Sequence, residues 1–200
     1  MSQTSVRRSG GRVAQRAKKS NQPLIIGAVV GAVVLIAVVW LLLSNRGGPS
    51  LGQQFADQTV GVSQYHLLQV TDPHPAYNSN PPTSGWHTGG NIGPWGVTEQ
   101  PIPDEITVHN LEHGGVIIHY RQDLDQATVD KLTALTRQLQ QQSPCVLLIP
   151  RPTEKLDKPI AVTAWTWLIK LDTFDATTIT NFFRKHVNQG PEQVGCALRS

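Results

Sequence analysis

An unbroken apolar run near the N-terminus constrains this chain more than any other feature. It extends over twenty residues, from Leu24 to Leu43, and contains no charged residue. A helix of this length spans the ~30 Å hydrocarbon core of a bilayer. Inside lipid a helix satisfies all of its own backbone hydrogen bonds, and Trp40 lies near the end, where an indole ring prefers the interface. The run predicts one transmembrane helix over residues 23–44.

A cleaved signal peptide is the alternative explanation of this run. The apolar core of a signal peptide is shorter, and Leu43-Ser44-Asn45-Arg46 does not match the small-x-small pattern of a cleavage site. No cysteine follows the run closely enough to carry a lipid. The sequence therefore favours an uncleaved anchor in the lipid bilayer.

Charge on either side of the run predicts its orientation. Six basic residues and no acidic residue precede the run: Arg7, Arg8, Arg12, Arg16, Lys18 and Lys19. After the run, Arg46 is the only basic residue nearby. The positive-inside rule places residues 1–22 in the cytoplasm, as a disordered basic tail, and the remainder outside the cell membrane. Beyond Gly47 there are ten basic and fourteen acidic residues, so the net charge of +3 belongs to the tail. We expect the tail to contact anionic lipid, and no nucleic-acid partner.

A short linker rich in Gly, Pro and Ser, residues 45–54, leads into a single predicted extracytoplasmic domain over residues 55–200. The first half of this domain is irregular, because Pro, Asn, Ser and Gly crowd the stretch between His74 and His87. Long ordered loops of this kind often carry function.

The second half of the domain has regular hydrophobic periodicity. The predicted elements are a strand at Val116–Tyr120, a helix from a capping box at Asp123 and Gln126 to Gln141, strands at Cys145–Ile149 and Ile160–Leu171, and a second helix capped by Asp175. This order predicts an α+β domain with two helices packed on one face of a small sheet. If the two strands that flank the first helix are parallel neighbours, the helix should cross over between them in the right-handed sense.

Two cysteines, Cys145 and Cys196, fall outside the predicted membrane span. In an oxidising compartment such a pair is a candidate disulfide. Two unrelated buried thiols are the alternative, since sequence does not show whether their Cα atoms approach closely enough.

Histidines are concentrated in the irregular half: six of the seven lie between His66 and His119. Imidazole is the commonest protein ligand for metals. The predicted site comprises His87, His109 and His113, with His74 or His119 as a further member and Glu112 beside them. Zinc and copper(II) suit such ligands, whereas copper(I) is disfavoured because Met1 is the only methionine.

The local conformation decides whether His109 and His113 can share an ion. In a strand their Cα atoms would lie roughly 13 Å apart at ~3.3 Å per residue. In a helical turn the same spacing brings both side chains together. Shared ligation therefore requires a turn over residues 109–113.

Two other interpretations of the histidines stay open. One is a structural network, in which the rings only hydrogen-bond backbone groups and hold the loop. The other is catalysis, since residues 109–113 match the inverted zinc-peptidase pattern H-x-x-E-H, with Glu112 as general base. Gly114 and Gly115 follow at once and no downstream carboxylate stands out as a third ligand, so binding is favoured over catalysis and no catalytic residue is assigned.

Three sequence blocks resemble domain-of-unknown-function family 3105. They are Tyr77-Asn-Ser-Asn-Pro-Pro-Thr-Ser-Gly-Trp-His87, Val108-His-Asn-Leu-Glu-His-Gly-Gly115 and Ala164-Trp165. The resemblance implies a membrane-anchored and mostly bacterial group of proteins in which the loop and the histidine block belong to one module. It implies no activity. A metal-binding domain, a non-catalytic accessory subunit of a membrane complex and a hydrolase are therefore the three functional hypotheses.

The predicted topology can be tested by proteolysis. Protease added to intact cells, or to spheroplasts where an outer membrane exists, should digest the domain beyond Gly47 and spare the tail, because the bilayer shields the cytoplasm. Immunoblotting with antibodies against each part measures this. Protection of the domain in sealed cells, with digestion only after lysis, would contradict the orientation.

Overall fold

The computed structural model of the protein describes residues 51–90, 92–192 and 196. Within these ranges no helix has the length and apolar character needed to cross a membrane. The predicted tail (1–22) and transmembrane helix (23–44), with most of the predicted linker (45–54), lie outside the described residues and stay predictions.

Eight strands form two sheets. In chain order they are β1 Gln53–Gln54, β2 His66–Leu67, β3 His87–Thr88, β4 Gly96–Val97, β5 Val116–Arg121, β6 Val146–Arg151, β7 Ile160–Ala164 and β8 Trp167–Leu171. Six of them form a mixed sheet in the order β1-β8-β7-β5-β6-β4, in which β5, β6 and β4 are parallel. β7 is antiparallel to β5 and β8, and β8 is antiparallel to β1. β2 and β3 form a separate parallel pair.

Three α-helices cover the six-stranded sheet: α1 Asp104–Glu112, α2 Gln126–Gln140 and α3 Ala176–His186. A short 3-10 turn occupies Thr153–Lys155. The α+β class is therefore confirmed, and β5 and β6, joined through α2, are parallel neighbours.

The two predicted helices pack on one face of the sheet, and a third helix, which the sequence did not predict, packs on the other face. On one face α2 and α3 bury a core that includes Ile118, Leu132, Leu139, Leu148, Val162, Phe182 and Phe183. On the other face α1 packs with Ile117, Leu147, Ile149 and Trp165 through Val108 and Leu111. Strand residues alternate between the two cores, as period two requires.

The third helix, α1, was missed because its buried residues are mostly polar. Thr107, His109, Asn110 and Glu112 are buried beside Val108 and Leu111, so the segment has no apolar stripe at helical spacing. Contacts with other parts of the domain bury this segment. Asp104 forms a two-point ion pair with Arg151 of β6, at 2.5 and 2.8 Å.

Two local predictions were wrong. The first long helix is capped by Asp125, whose side chain accepts from the Thr128 N–H at 2.9 Å, while Asp123 pairs with Arg121. The predicted single strand Ile160–Leu171 is a hairpin, β7 and β8, with a turn at Trp165 and Thr166. Thr166 adopts a φ of 62°, and no Gly or Pro marks this turn in the sequence.

The cap of α3 follows the prediction. The Asp175 side chain accepts from the Thr178 N–H at 3.0 Å, and Phe174 packs into the same core as Ile179. The accepted bond satisfies a helix N–H that has no partner within the helix. The cap therefore fixes where α3 begins against the sheet.

Replacing Asp175 by alanine should lower the free energy of unfolding by about 1 kcal/mol, because that N–H loses its partner. Urea denaturation of the purified protein measures the change. The matched control is Asp175→Asn, which keeps an acceptor oxygen and should cost only a few tenths of a kcal/mol. If both variants lose the same free energy of unfolding, the hydrogen bond from the Thr178 N–H does not account for the stability that Asp175 provides.

Candidate metal site

The short parallel ladder of β2 and β3 brings two histidines together across a sequence gap of about twenty residues. His66 lies opposite His87 in the register, and their ring centroids are 4.9 Å apart. The ladder is supported by the His87 N–H, which donates to the Tyr65 carbonyl at 3.1 Å. His87 is fully buried, whereas nearly half of the His66 side chain is exposed.

The C-terminal turn of α1 supplies the second pair. Residues 109–113 form the helical turn that shared ligation requires, and Nε2 of His109 lies 3.1 Å from Nε2 of His113. The helix ends in a Schellman motif: Gly114 N–H donates to Leu111 and Gly115 N–H to Asn110, each at 2.9 Å. Gly114 has a φ of +81°, which favours glycine. The two glycines that weaken the peptidase interpretation thus end the helix directly beside the histidines.

Glu112 lies between the two pairs. Its Oε2 is 2.8 Å from Nε2 of His87 and 3.7 Å from Nε2 of His66, and its side chain is 1% exposed. Burial alone would raise the pKa of this carboxyl, but the hydrogen bond and charge of His87, with the charges of His66 and His109, lower it overall. Burial and the Glu112 carboxylate also raise the pKa of the Tyr65 hydroxyl. Glu112 is therefore a buried carboxyl group that is surrounded by imidazoles and whose pKa lies below its ordinary value.

His87 is held in one orientation by its other ring nitrogen. Nδ1 lies 2.8 Å from the Gly85 carbonyl oxygen. A carbonyl only accepts hydrogen bonds, so Nδ1 carries a proton and donates. In the neutral ring Nε2 is then an unprotonated lone-pair donor aimed at Glu112.

The structure places His74 and His119 apart from these contacts. His74 faces the Pro75 carbonyl oxygen at 2.8 Å and a Glu105 carboxylate oxygen at 3.3 Å. Nε2 of His119 contacts the Thr163 hydroxyl at 3.0 Å, and burial, aided by the charge of Arg151, lowers its pKa. Among the described residues, the sets of mutually close metal-ligating atoms contain neither histidine.

Within the described part of the chain, the metal-ligating atoms that lie close together form two sets. The first set is His66 with His87 and Glu112, and the second is His109 with Glu112 and His113. Within each set the ligand atoms lie within 4.8 Å of one another. The structure thus brings together His87, His109, His113 and Glu112 of the predicted site. It adds His66, which the sequence analysis did not select. No local pattern marks His66, because its partner in the ladder is remote in sequence.

The segment after α3 closes over the end of α1. Asn188 N–H donates to the Gly114 carbonyl at 2.8 Å, and Glu192 N–H donates to the Glu112 carbonyl at 3.1 Å. Gly190 lies so close that an added Cβ would overlap the Glu112 carbonyl oxygen. The Glu192 carboxylate then reaches Nε2 of His113 at 3.2 Å.

The predicted disulfide is present and fixes this segment. Cys145 and Cys196 are bonded, with their Cα atoms 5.2 Å apart. Cys145 immediately precedes β6, and its carbonyl accepts from the first residue of β5, Val116, at 2.9 Å. The bond therefore ties the segment that carries Glu192 to the start of β6, and Cys196 Sγ lies 3.5 Å from the His113 carbonyl oxygen.

The fold and these contacts define an α+β domain with a buried histidine–carboxylate cluster. The chain belongs to the family described as Protein of unknown function (DUF3105), whose model matches residues 69–197. The matched range contains His87, the 109–113 turn, Glu192 and both cysteines, whereas His66 precedes it. No curated protein and no solved structure matches the chain.

Removing the disulfide should destabilise the domain. In the chain-entropy model a closed loop of this length contributes about 4 kcal/mol, so a Cys145→Ser, Cys196→Ser double variant should lose roughly 2–4 kcal/mol. Urea denaturation measures the loss. The reduced wild-type protein is the matched control and should unfold at the same urea concentration as the double variant. An unchanged midpoint in both would show that the bond does not constrain the unfolded chain.

Proposed function

We propose that this protein is a metal-binding domain whose histidine–glutamate cluster holds a divalent ion, zinc or copper(II). The spacing of the ligand atoms supports the proposal. Four ligands at ~2.0–2.1 Å around a tetrahedral ion lie about 3.3 Å from one another. The His109–His113, His87–Glu112 and His66–Glu112 contacts, at 3.1, 2.8 and 3.7 Å, bracket that value.

The orientation of His87 is the observation that carries the proposal. Because Nδ1 donates to Gly85, the neutral ring directs an Nε2 lone pair at the Glu112 carboxylate across 2.8 Å. Two lone pairs at that distance repel unless a cation lies with them. A ring N–H bonded to a backbone carbonyl is also the usual support of a metal-ligating histidine.

A second proton on His87 is the other way to remove the repulsion. It would make an imidazolium–carboxylate pair and correspond to the structural network. Both groups are fully buried, and removing two charges from water costs several kcal/mol per ion before their attraction is counted. A bound divalent cation would instead accept the Nε2 lone pair and the carboxylate as ligands, and it would leave the imidazoles neutral.

The nature of the ligands supports zinc or copper(II). All five side chains offer imidazole nitrogen or carboxylate oxygen, which suit both ions. Both cysteines are used in the disulfide, so no thiolate is available to favour a softer ion.

Binding is favoured over peptide hydrolysis by the position of Glu112. A general base must reach a water beside the ion, whereas this carboxylate is buried and faces Nε2 of His87 at 2.8 Å. The helix that carries the H-x-x-E-H pattern also ends at Glu112. We therefore assign Glu112 as a ligand.

The proposed setting is the outer face of a cell membrane, with residues 23–44 as anchor and the N-terminal tail in the cytoplasm. The apolar run and the flanking charges support it. A tethered metal-binding domain also suits an accessory subunit of a larger membrane complex, the second functional hypothesis. Co-purification of a stoichiometric partner in mild detergent, with no metal bound, would favour that hypothesis over metal binding.

Metal binding can be tested on the purified full chain, stripped with a chelator and titrated with zinc. Replacing His87 or His113 by alanine should weaken binding by on the order of 100-fold or more, since each removes a ligand directly and even supporting residues contribute 10–100-fold. Calorimetric titration and elemental analysis measure this. His74→Ala is the matched control, because it removes a histidine that contacts Pro75 and Glu105, and it should leave the affinity unchanged.

Absence of bound zinc and of bound copper(II) in the folded wild-type protein would contradict the proposal and favour the structural network. An equal loss in His74→Ala would show that the effect is general to the loop. Circular dichroism of each variant separates lost ligands from lost fold.

A further inference from the structure

We infer that the cluster is a two-ion centre in which Glu112 bridges two divalent cations, one held by His66 and His87 and the other by His109 and His113. This inference rests on the proposed metal binding and specifies how the five ligands divide. It adds a second ion and assigns Glu112 as the bridging ligand.

The ligand atoms divide into two sets. Among residues 51–90, 92–192 and 196, the close sets are two groups of three that share Glu112, not one group of five. Ligands of a single ion at ~2.1 Å lie at most about 4.2 Å apart. Because the five side chains do not form one such group, a single ion leaves part of the cluster unused.

The two pairs come from different elements and adjoin at Glu112. His66 and His87 extend from the β2–β3 ladder, while His109 and His113 extend from the last turn of α1. The rings of His87 and His109 have centroids 5.3 Å apart, so the two groups are in contact. A carboxylate has two oxygens with separate lone pairs. It can therefore ligate one ion through each, at the ~3.5–4 Å separation usual for paired metals.

A second carboxylate lies near the centre. The Glu192 carboxylate oxygen is 3.2 Å from Nε2 of His113, and 43% of the Glu192 side chain is exposed. Glu192 is not one of the mutually close ligand atoms, so the ion at His109 and His113 has three close protein ligands with this carboxylate beside them.

The other ion has three protein ligands, His66, His87 and Glu112, and an open fourth position on the side of the exposed His66. Three protein ligands are typical of sites that bind water or an exchangeable ligand. The centre is asymmetric because Glu192 lies beside His113, whereas His66 is exposed. The ion at His66 and His87 therefore has room for water or a small oxyanion such as phosphate or carbonate.

The test is metal stoichiometry in the full chain, loaded with zinc and then dialysed. The wild-type protein should retain two ions. His66→Ala with His87→Ala, and His109→Ala with His113→Ala, should each retain one, because each double substitution empties one half. His74→Ala should retain two. These counts come from elemental analysis together with protein quantitation on folded samples.

The outcomes separate the two proposals. No retained ion in the wild-type protein overturns metal binding and the two-ion centre together. One retained ion overturns only the two-ion centre, as does complete loss of metal from both double variants while they stay folded.

The bridge itself is tested by copper(II) electron paramagnetic resonance of the wild-type protein and of a folded Glu112→Gln variant. Two ions joined through Glu112 should give a half-field signal from coupled spins. In Glu112→Gln that signal should disappear, because an amide has only one good ligating oxygen. Two bound copper ions without coupling in the wild-type protein would overturn the bridge.

Discussion

The 2.8 Å contact between His87 and Glu112 connects two parts of the domain that share no strand pairing. His87 belongs to the irregular first half, and Glu112 ends a helix whose buried surface is largely polar. Such a helix gains little from apolar burial, so its position depends on polar partners. At its start Arg151 holds Asp104, and near its end the Asn110 amide donates to the Gly93 carbonyl and accepts from the Gly93 N–H.

Each of these partners also fixes the geometry of the cluster. The two hydrogen bonds between Asn110 and Gly93, at 2.9 and 2.7 Å, hold α1 to the segment that precedes β4. The Schellman motif at Gly114 and Gly115 then turns the chain directly into β5. β5 is one of the two middle strands of the larger sheet, so the histidines of α1 directly precede a strand that is hydrogen-bonded on both sides. Preorganisation of this kind is what ligand placement within a few tenths of an ångström requires.

The sequence was informative where burial is apolar and periodic. Leu132, Leu135 and Leu139 recur at helical spacing and are all buried, so α2 was predictable, as was the Asp175 cap of α3. α1 was not predictable from its pattern, because Thr107, Asn110 and Glu112 are polar and are buried only by tertiary partners. The hairpin of β7 and β8 was missed since the alternation of apolar residues continues through a turn that lacks Gly and Pro.

The candidate site was predictable to a similar extent. His109, Glu112 and His113 could be grouped because their spacing in a helical turn is a local property. His66 could not, since it is brought to His87 by a ladder of only two residue pairs.

The disulfide makes the cluster depend on two distant parts of the chain. The β2–β3 ladder, α1, β5 and β6 all lie before residue 152, whereas Glu192 and Cys196 follow Glu112 by eighty residues or more. The bond between Cys145 and Cys196 joins the segment of Glu192 to the start of β6, and the Glu192 carboxylate lies 3.2 Å from Nε2 of His113. Reduction of this bond therefore removes the covalent restraint on the exposed carboxylate beside His113 and leaves the elements that carry the four histidines of the cluster without any broken bond.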